Sequence, residues 1–196
     1  MTRVHPLLKK FLVCSAVLIV GSYELFTGPR NLESYPAAQE SPYKLPWPAG
    51  KSWFCAQSNR GIVSHRDGEE YAFDFKMPEG SPVCAARAGV IVGVDDTHDG
   101  NGLKAPNNVI VIDHGDGTRG VYLHLKKGGS LVAVGDQVAQ GDKIGLSGNV
   151  GRSIAPHLHF HVFSKETGRT IPITFSDVKE HAGVPRMFCR YTSGNG

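Results

Sequence analysis

The sequence predicts a mainly β domain in which antiparallel sheets form an open groove. Twenty-four glycines are distributed among short runs of Val, Ile and Leu, as expected for many short strands joined by turns. The stretch "DHGDGT" has the Asp-Gly chemistry of a hairpin turn and is flanked by alternating apolar residues. No apolar pattern of helical period extends over three turns in the sequence. Together these features favour strands over helices.

The first 22 residues have the composition of a targeting segment. Arg3, Lys9 and Lys10 precede the apolar run "FLVCSAVLIVGSY", and the first acidic residue is Glu24. A basic stretch followed by an apolar stretch of this length is typical of a secretory signal peptide. We therefore expect residues 1–22 to act as a signal peptide or an N-terminal membrane anchor. The protein would be exported, to the periplasm or the extracellular space, and an uncleaved segment would associate it with the membrane.

The net charge of the chain comes from this segment. Residues 1–22 hold three of the 21 Lys and Arg residues and none of the 18 Asp and Glu residues, which leaves 18 of each sign in the remainder. A nucleic-acid-binding surface requires an excess of basic residues. The sequence therefore predicts no nucleic-acid partner.

The remainder of the chain divides into an arm and a domain. Residues 23–50 are rich in proline, as in "SPYKLPWPAG", and are predicted to form a linker or extended arm. Strand signals begin at "SWFCAQ", so the domain is expected to span 51–192. Within it, "VGDQVAQGDKIG" contains two Gly-Asp turns and is predicted to be a local hairpin.

The cysteines do not predict a thiolate metal site. Cys55, Cys84 and Cys189 are widely separated, and the sequence has no CxxC motif. In an oxidising compartment two of them could form a disulfide. The sequence does not indicate which two.

A cluster of histidines near the C-terminus is the most specific feature. The stretch "APHLHFHVF" places His157, His159 and His161 at every second position. Alternate side chains of a β-strand point to the same face. The three imidazoles are therefore expected on one face, with the apolar residues between them on the other.

Two further predicted strands carry polar side chains that could join this cluster. In "GVYLHLKK", Tyr122 and His124 share a face, and in "EYAFDFKM", Asp74 lies on the face opposite the aromatic residues. Imidazole and carboxylate groups are zinc ligands, and a catalytic zinc site uses three protein ligands and leaves the fourth position to water. The spacing therefore predicts a metal or catalytic site.

These motifs, in this order, resemble the zinc metallopeptidases of the lysostaphin and LytM type, peptidase family M23. The resemblance runs from Gly61 to Val162 and includes "NNVIVIDHGDG", "VYLHL" and "APHLHFHV". It implies an open-groove β fold related to the barrel-sandwich hybrids, with one Zn²⁺ per chain. It further implies hydrolysis of peptide bonds in bacterial peptidoglycan, in stem cross-links or in bridges, by a zinc-activated water. The oligomeric state and the bond that is cut are not indicated.

The resemblance also implies roles for five residues. The metal ligands would be His65, Asp74 and His159. The catalytic residues beside the attacking water would be His124 and His157, one accepting its proton and the other binding the developing oxyanion. The sequence does not indicate which histidine has which role.

The sequence departs from the family pattern at two positions. Eight residues separate His65 from Asp74 where the family commonly has three, and Glu70 stands where the usual histidine would fall. Glu70 is therefore an alternative first ligand. His161 stands where the family often has Glu, and it is either a partner that orients a ligand or an ordinary strand residue.

Three other interpretations of the domain remain open at this stage. An M23-like module without activity would bind or regulate at the cell wall, and it would lack metal. A closed structural zinc site would use His157 as a fourth ligand. A biotinyl or lipoyl carrier would use Lys143, but this lysine is predicted to lie in a strand and not at an exposed turn.

Overall fold

The computed structural model describes residues 32–196, so the predicted targeting segment 1–22 lies outside the described residues. The described chain is built almost entirely of short antiparallel strands, which confirms the predicted fold class. In chain order the strands are β1 Ser52–Gln57, β2 Phe73–Lys76, β3 Pro82–Cys84, β4 Gly89–Asp95, β5 Val109–Asp113, β6 Thr118–Leu123, β7 Leu125–Ser130, β8 Gln137–Val138, β9 Lys143–Ser147, β10 Leu158–Ser164 and β11 Arg190–Thr192. Two short 3₁₀ helices occupy Ala38–Glu40 and His181–Gly183.

The strands form two sheets that do not close into a barrel. The larger sheet has eight strands in the order β11-β1-β2-β10-β6-β5-β4-β8, and the smaller has three in the order β3-β9-β7. Strand β10 lies in the middle of the larger sheet, between β2 and β6. Residues on β10 are therefore flanked by two strands that come from distant parts of the chain.

The alternation of β10 places its apolar side chains in the core. Leu158, Phe160 and Val162 are fully buried and join the aromatic residues of neighbouring strands in one hydrophobic cluster. Phe160 lies 4.9 Å from the ring centre of Tyr122 on β6. Each such side chain contributes about 1.5–3 kcal/mol through burial, so β10 is held firmly and its other face is fixed as well.

The stretch 134–145 does not form the predicted local hairpin. Strand β8 pairs with β4 of the larger sheet, whereas β9 pairs with β3 and β7 of the smaller sheet. Both Gly-Asp turns are present, because Asp136 and Asp142 each accept a hydrogen bond from the backbone N–H three residues earlier. These turns carry the chain from one sheet to the other instead of folding it back on itself.

The described part of the predicted arm packs into the domain. Leu45 and Trp47 are fully buried, and Trp47 makes an edge-to-face contact with Phe75 at 4.8 Å between ring centres. The C-terminal residues beyond 192 pack against the same segment, because the Asn195 amide donates to the carbonyl of Leu45 at 3.0 Å. The hydrophobic core thus includes residues that precede Lys51, and the domain limits 51–192 stay a prediction. Tyr43, Leu45 and Trp47 alternate as in a strand, and the prolines between them conceal that pattern.

Three cysteines in the described residues are free thiols: Cys55, Cys84 and Cys189. Cys55 and Cys189 lie on neighbouring chain segments, since the Cys55 N–H donates to the Cys189 carbonyl at 2.9 Å. Disulfide formation remains a prediction. Among residues 32–196, no helix has the length and apolar character needed to cross a membrane.

Candidate metal centre

The pairing of β2 with β10 places a carboxylate directly opposite an imidazole. Asp74 and His159 are partners in the antiparallel register, and His159 Nδ1 lies 2.9 Å from Asp74 Oδ1. Both residues point away from the core, because Phe73 and Phe75 occupy the buried face of β2. The pairing of the two strands therefore places these residues directly opposite each other.

His65 reaches the same point from the long loop between β1 and β2. Its ring is buried, and Nδ1 lies 2.8 Å from the carbonyl oxygen of Ser58. Since a carbonyl only accepts, Nδ1 carries the proton and a neutral His65 keeps a lone pair on Nε2. That Nε2 lies 3.2 Å from Asp74 Oδ2 but makes no hydrogen bond of acceptable geometry, so it is a buried polar atom without a partner.

The three side chains fit a divalent metal ion. One ligand atom each from His65, Asp74 and His159 lies within 4.8 Å of the others, which is within reach of a common ion at zinc–ligand distances of about 2.0–2.2 Å. The buried Nε2 of His65 has a lone pair and no hydrogen-bond partner, so it is available as a metal ligand. Two imidazoles with one carboxylate also form the donor set of a catalytic zinc site.

The electrostatics of this cluster favour a cation. Burial by itself would raise the pKa of Asp74, but the hydrogen bond with His159 and the charge interactions with His159 and His65 hold it well below its usual range. Burial by itself would lower the pKa of His65, yet the nearby Asp74 carboxylate and the hydrogen bond to the Ser58 carbonyl raise it. The site therefore keeps an ionised carboxylate and attracts positive charge.

His124 and His157 lie beside this cluster. Their ring centres are 4.5 Å apart, and His157 Nε2 lies 3.6 Å from Asp74 Oδ1. Each ring is held through Nδ1, which lies 2.9 Å from the Val150 carbonyl in His124 and 2.8 Å from the Ala155 carbonyl in His157. In both rings Nε2 is therefore available for proton transfer.

The conformation of His124 differs from the sequence expectation. Strand alternation placed His124 and Tyr122 on one face, but Tyr122 is in the core, where its hydroxyl accepts a hydrogen bond from the Ala86 N–H at 2.8 Å. His124 follows the last residue of β6 and has φ of 63°, a left-handed conformation that ends the alternation. This backbone turn brings its ring to the same groove as His157.

Glu70, the alternative first ligand, is not part of the cluster. Its carboxylate accepts a hydrogen bond from the Gly68 N–H at 3.1 Å within the same loop. His161 does contact the cluster, since its Nδ1 lies 3.0 Å from His159 Nε2. Burial, together with the neighbouring His159 and His65 rings, lowers the pKa of His161 to about 3, so His161 is neutral beside His159.

Sequence reasoning missed the groups that hold these side chains. The most important is Gln57, at the end of β1, whose amide donates to Asp74 Oδ2 at 3.0 Å. The carbonyl groups of Ser58, Val150 and Ala155 orient the histidines. A polar residue in the otherwise apolar strand "SWFCAQ" is the one signal that could have indicated Gln57.

Asp74 and His159 of the cluster, together with His124 and His157, line an open groove of about 530 Å³. Its rim includes the exposed apolar side chains of Val63, Leu103 and Ile154, which come from three different loops. Lys76 and Arg152 also line it, and neither forms an ion pair with another residue in the range 32–196. Among the lining residues in that range, Asp74 alone is a carboxylate, so the rest of the groove carries positive charge.

Comparisons with known proteins agree with this arrangement. Residues 68–171 match Peptidase family M23. The chain is similar to the peptidoglycan DD-endopeptidase ShyA of Vibrio cholerae, with 36% identity over 63% of this chain and 26% of that protein. It is also similar to the glycyl-glycine endopeptidase ALE-1 of Staphylococcus capitis, with 42% identity over 47% of this chain and 24% of that protein.

A solved structure shares the fold. The M23 metalloprotease pseudoalterin, from the deep sea, matches with a TM-score of 0.57 and 18% identity over 78% of this chain and 99% of that chain. The chain spans about a quarter of the length of the curated relatives it matches. The matched range 68–171 contains Asp74, His124, His157 and His159 but begins after His65. On the extent of this match, the chain belongs to peptidase family M23.

Proposed function

We propose that this protein is an exported, zinc-dependent endopeptidase that hydrolyses peptide bonds in bacterial peptidoglycan. The observation that carries the proposal is the convergence of His65, Asp74 and His159 on one point, at the base of a groove that His124 and His157 also line. The three ligands would hold one Zn²⁺ per chain. When bound, zinc supplies Lewis-acid chemistry, polarising a substrate carbonyl and lowering the pKa of water.

The two remaining histidines are suited to proton transfer. Because Nδ1 of each ring donates to a carbonyl, a neutral ring presents Nε2 as an acceptor. Burial, together with the neighbouring His157 and His159 rings, lowers the pKa of His124 to about 3, so this ring is neutral at pH 7. A ring that has accepted the proton of the attacking water gains an Nε2–H. It can then donate to the oxyanion or to the leaving amine.

Because the two rings are close together, only one of them can take up an additional proton and become positively charged at a time. Their centres are 4.5 Å apart, where two positive charges would repel strongly in a partly buried site. One ring therefore accepts the proton while the other stays neutral. Either ring can fill either role in this geometry.

The charge of the groove supports a peptide substrate that bears carboxylates. Lys76 follows Asp74 by two residues and so lies on the same face of β2 as the metal cluster. Arg152 stands in the loop that also carries Ser153, which contacts His157. Peptidoglycan stem peptides carry free carboxylates, whereas glycine bridges between them carry none. ShyA is a peptidoglycan DD-endopeptidase and ALE-1 is a glycyl-glycine endopeptidase. Lys76 and Arg152, which have no ion-pair partner among residues 32–196, favour the stem peptide here.

Digestion of purified peptidoglycan by the full chain tests the proposal, with mass spectrometry of the released muropeptides as the readout. We expect about one zinc per chain and cleavage products that disappear after chelation. Asp74→Asn should lose zinc, and His124→Asn should keep zinc and lose cleavage. His98→Asn, in an exposed loop, is the matched control and should digest at the parent's rate. Parent protein that is folded and metal-free would indicate a binding module, and His124→Asn digesting at the parent's rate would refute the assigned role.

A further inference from the structure

We infer that Gln57 is a positioning residue that builds the metal site by holding both the Asp74 carboxylate and the loop that carries His65. The inference rests on the proposed metal site but concerns residues outside the matched range 68–171. Gln57 is the last residue of β1, is only 5% exposed, and pairs with Asp74 in the register of β1 and β2. A β-bulge between Cys55 and Gln57 precedes it.

All of the amide's N–H groups are used in this position. Gln57 Nε2 donates to Asp74 Oδ2 at 3.0 Å and to Ser64 Oγ at 2.8 Å. Gln57 Oε1 accepts from the Val63 N–H at 3.0 Å. A flipped amide would put its oxygen against the carboxylate and its NH₂ group against an N–H. The orientation is therefore fixed, and one side chain joins the carboxylate to two consecutive loop residues.

The loop is shaped to receive this side chain. A Cβ atom on Gly61 would overlap Cγ of Gln57, so the loop backbone lies directly against the glutamine stem. Seven residues apart along the loop, the Ser58 carbonyl meets His65 Nδ1 at 2.8 Å. The loop is thus closed at its base by this bond and held along its side by Gln57.

This arrangement explains how a ligand nine residues before Asp74 reaches the site. A histidine on β2 itself would be placed by strand geometry, but His65 lies on a loop that has no strand pairing of its own between 58 and 72. Gln57 supplies the missing constraint, because it anchors Ser64, the residue next to His65, to the carboxylate that His65 must face. Asp74 is fixed by the same amide through Oδ2, which leaves Oδ1 opposite His159.

The test is Gln57→Met, which keeps the length of the side chain and removes the amide. Loss of a partner that orients a metal ligand typically weakens metal affinity by about 10–100-fold. We expect a rise in zinc Kd of that size, measured on the full chain by competition with a chromophoric chelator. Urea unfolding of the zinc-free protein is measured in parallel.

Gln140→Met is the matched control. Gln140 also uses its amide for two hydrogen bonds, to the carbonyls of Pro42 at 2.8 Å and Ala86 at 2.7 Å, but it lies outside the groove. Its replacement should lower stability and leave the zinc Kd within about twofold of the parent, since each lost hydrogen bond contributes about 1 kcal/mol to folding alone. If the role of Gln57 were purely structural, Gln57→Met would likewise lower stability and leave the zinc Kd within about twofold of the parent.

Ser64→Ala covers the case in which Gln57→Met does not fold. It removes one acceptor of the amide at a partly exposed position and should weaken zinc binding by about fivefold, the equivalent of one hydrogen bond. An unchanged zinc Kd in the folded Gln57→Met protein, or in Ser64→Ala if the former is unfolded, overturns the inference. A parent that binds no zinc at all would instead refute the proposed function.

Discussion

At the scale of single residues, backbone carbonyl groups determine the ring orientation of three histidines at the site. His65, His124 and His157 each direct Nδ1 to a carbonyl, and this fixes which nitrogen of a neutral ring carries the proton. His159 is reversed, with Nε2 against His161 and Nδ1 against Asp74. For His65, His124 and His157 in the neutral state, a lone pair on Nε2 follows from the bonds to the carbonyl groups.

The buried position of His124 predicts a pH-dependent stability. Burial, aided by the His157 and His159 rings, lowers its pKa to about 3, below the value of about 6.5 for an unfolded chain. The unfolded chain therefore takes up a proton that the folded chain does not. The contribution of His124 to the free energy of unfolding is complete above pH 6.5. It is lost as the pH falls towards 3, by at most about 1.4 kcal/mol per pH unit.

Urea unfolding of zinc-free protein at several pH values between 7.5 and 4.5 measures this effect. His124→Asn should give a shallower slope, because asparagine does not titrate and tolerates the positive φ of 63° at this position. Equal slopes for the parent and the variant would show that other groups account for the acid sensitivity.

The residues proposed for the metal site could be recognised in the sequence, whereas the contacts that hold their side chains could not. The period-two spacing of "HLHFH" predicted one polar and one apolar face, and the burial of Leu158, Phe160 and Val162 confirms it. The alternation depends only on residues within one strand, so it can be read from the sequence without knowledge of the rest of the fold. The contact of Gln57 with Asp74 joins residues 17 apart through a loop, and no local pattern records it.

At the scale of elements, the site is a consequence of which strands are neighbours. Strand β10 pairs with β2 on one side and with β6 on the other, so His159 has Asp74 and Leu123 as its two cross-strand partners. His124 follows Leu123 directly and turns into the groove at the end of β6. Three distant segments therefore meet because a single central strand orders them.

Close backbone contact between elements gives a second prediction, at Gly148. A Cβ atom there would lie 2.6 Å from the Lys126 N atom and 2.8 Å from the Leu125 carbonyl carbon, both in the backbone of β7. Gly148 also bridges to His157, whose N–H donates to its carbonyl. Gly148→Ala should therefore lower the free energy of unfolding by about 1–3 kcal/mol, as overpacking does, and displace His157.

Gly93→Ala is the control for this prediction. The nearest atom to its Cβ would be Val111 Cγ2 at 3.4 Å, an ordinary contact, and the substitution should be neutral or stabilising by less than about 1 kcal/mol. Urea unfolding compares the two variants, and peptidoglycan digestion reports on His157. Equal stability of both variants would show that β7 can move away from Gly148 at no cost.

Elements were predicted well where the signal was local and less well where it was not. The turn in "DHGDGT" joins β5 to β6 as expected, because Asp-Gly chemistry and the flanking strands lie within a few residues. The Gly-Asp turns of 134–145 were also recognised, but their strands pair with β4, β3 and β7. Turn residues determine where the chain bends, whereas the partner of a strand depends on the whole sheet.

At the scale of the whole molecule, both ends of the described chain close the core behind the groove. The segment around Leu45 and Trp47 packs beneath β2, and Asn195 ties it to the C-terminus through the Leu45 and Ala85 carbonyls. Replacing a buried Trp or Phe by Ala costs about 3–5 kcal/mol in general, so this layer is a substantial part of the fold. The opposite side carries the open groove, which is lined by exposed apolar side chains and by Lys76 and Arg152.

The charge of that open side predicts substrate selectivity. Lys76→Glu combined with Arg152→Glu should lower kcat/KM by about five- to tenfold for a stem-peptide substrate with free carboxylates. This follows because each exposed ion pair is worth about 0.2–1 kcal/mol and reversal adds repulsion. The same peptide with amidated carboxyl groups should be cleaved within about twofold of the parent's rate.

Lys179→Glu, outside the groove, changes net charge without touching the site and should leave both rates unaltered. The difference between the substrates should shrink at high salt, where exposed charges are screened, and an equal loss on both would show that these side chains support the groove instead of reading the charge of the peptide.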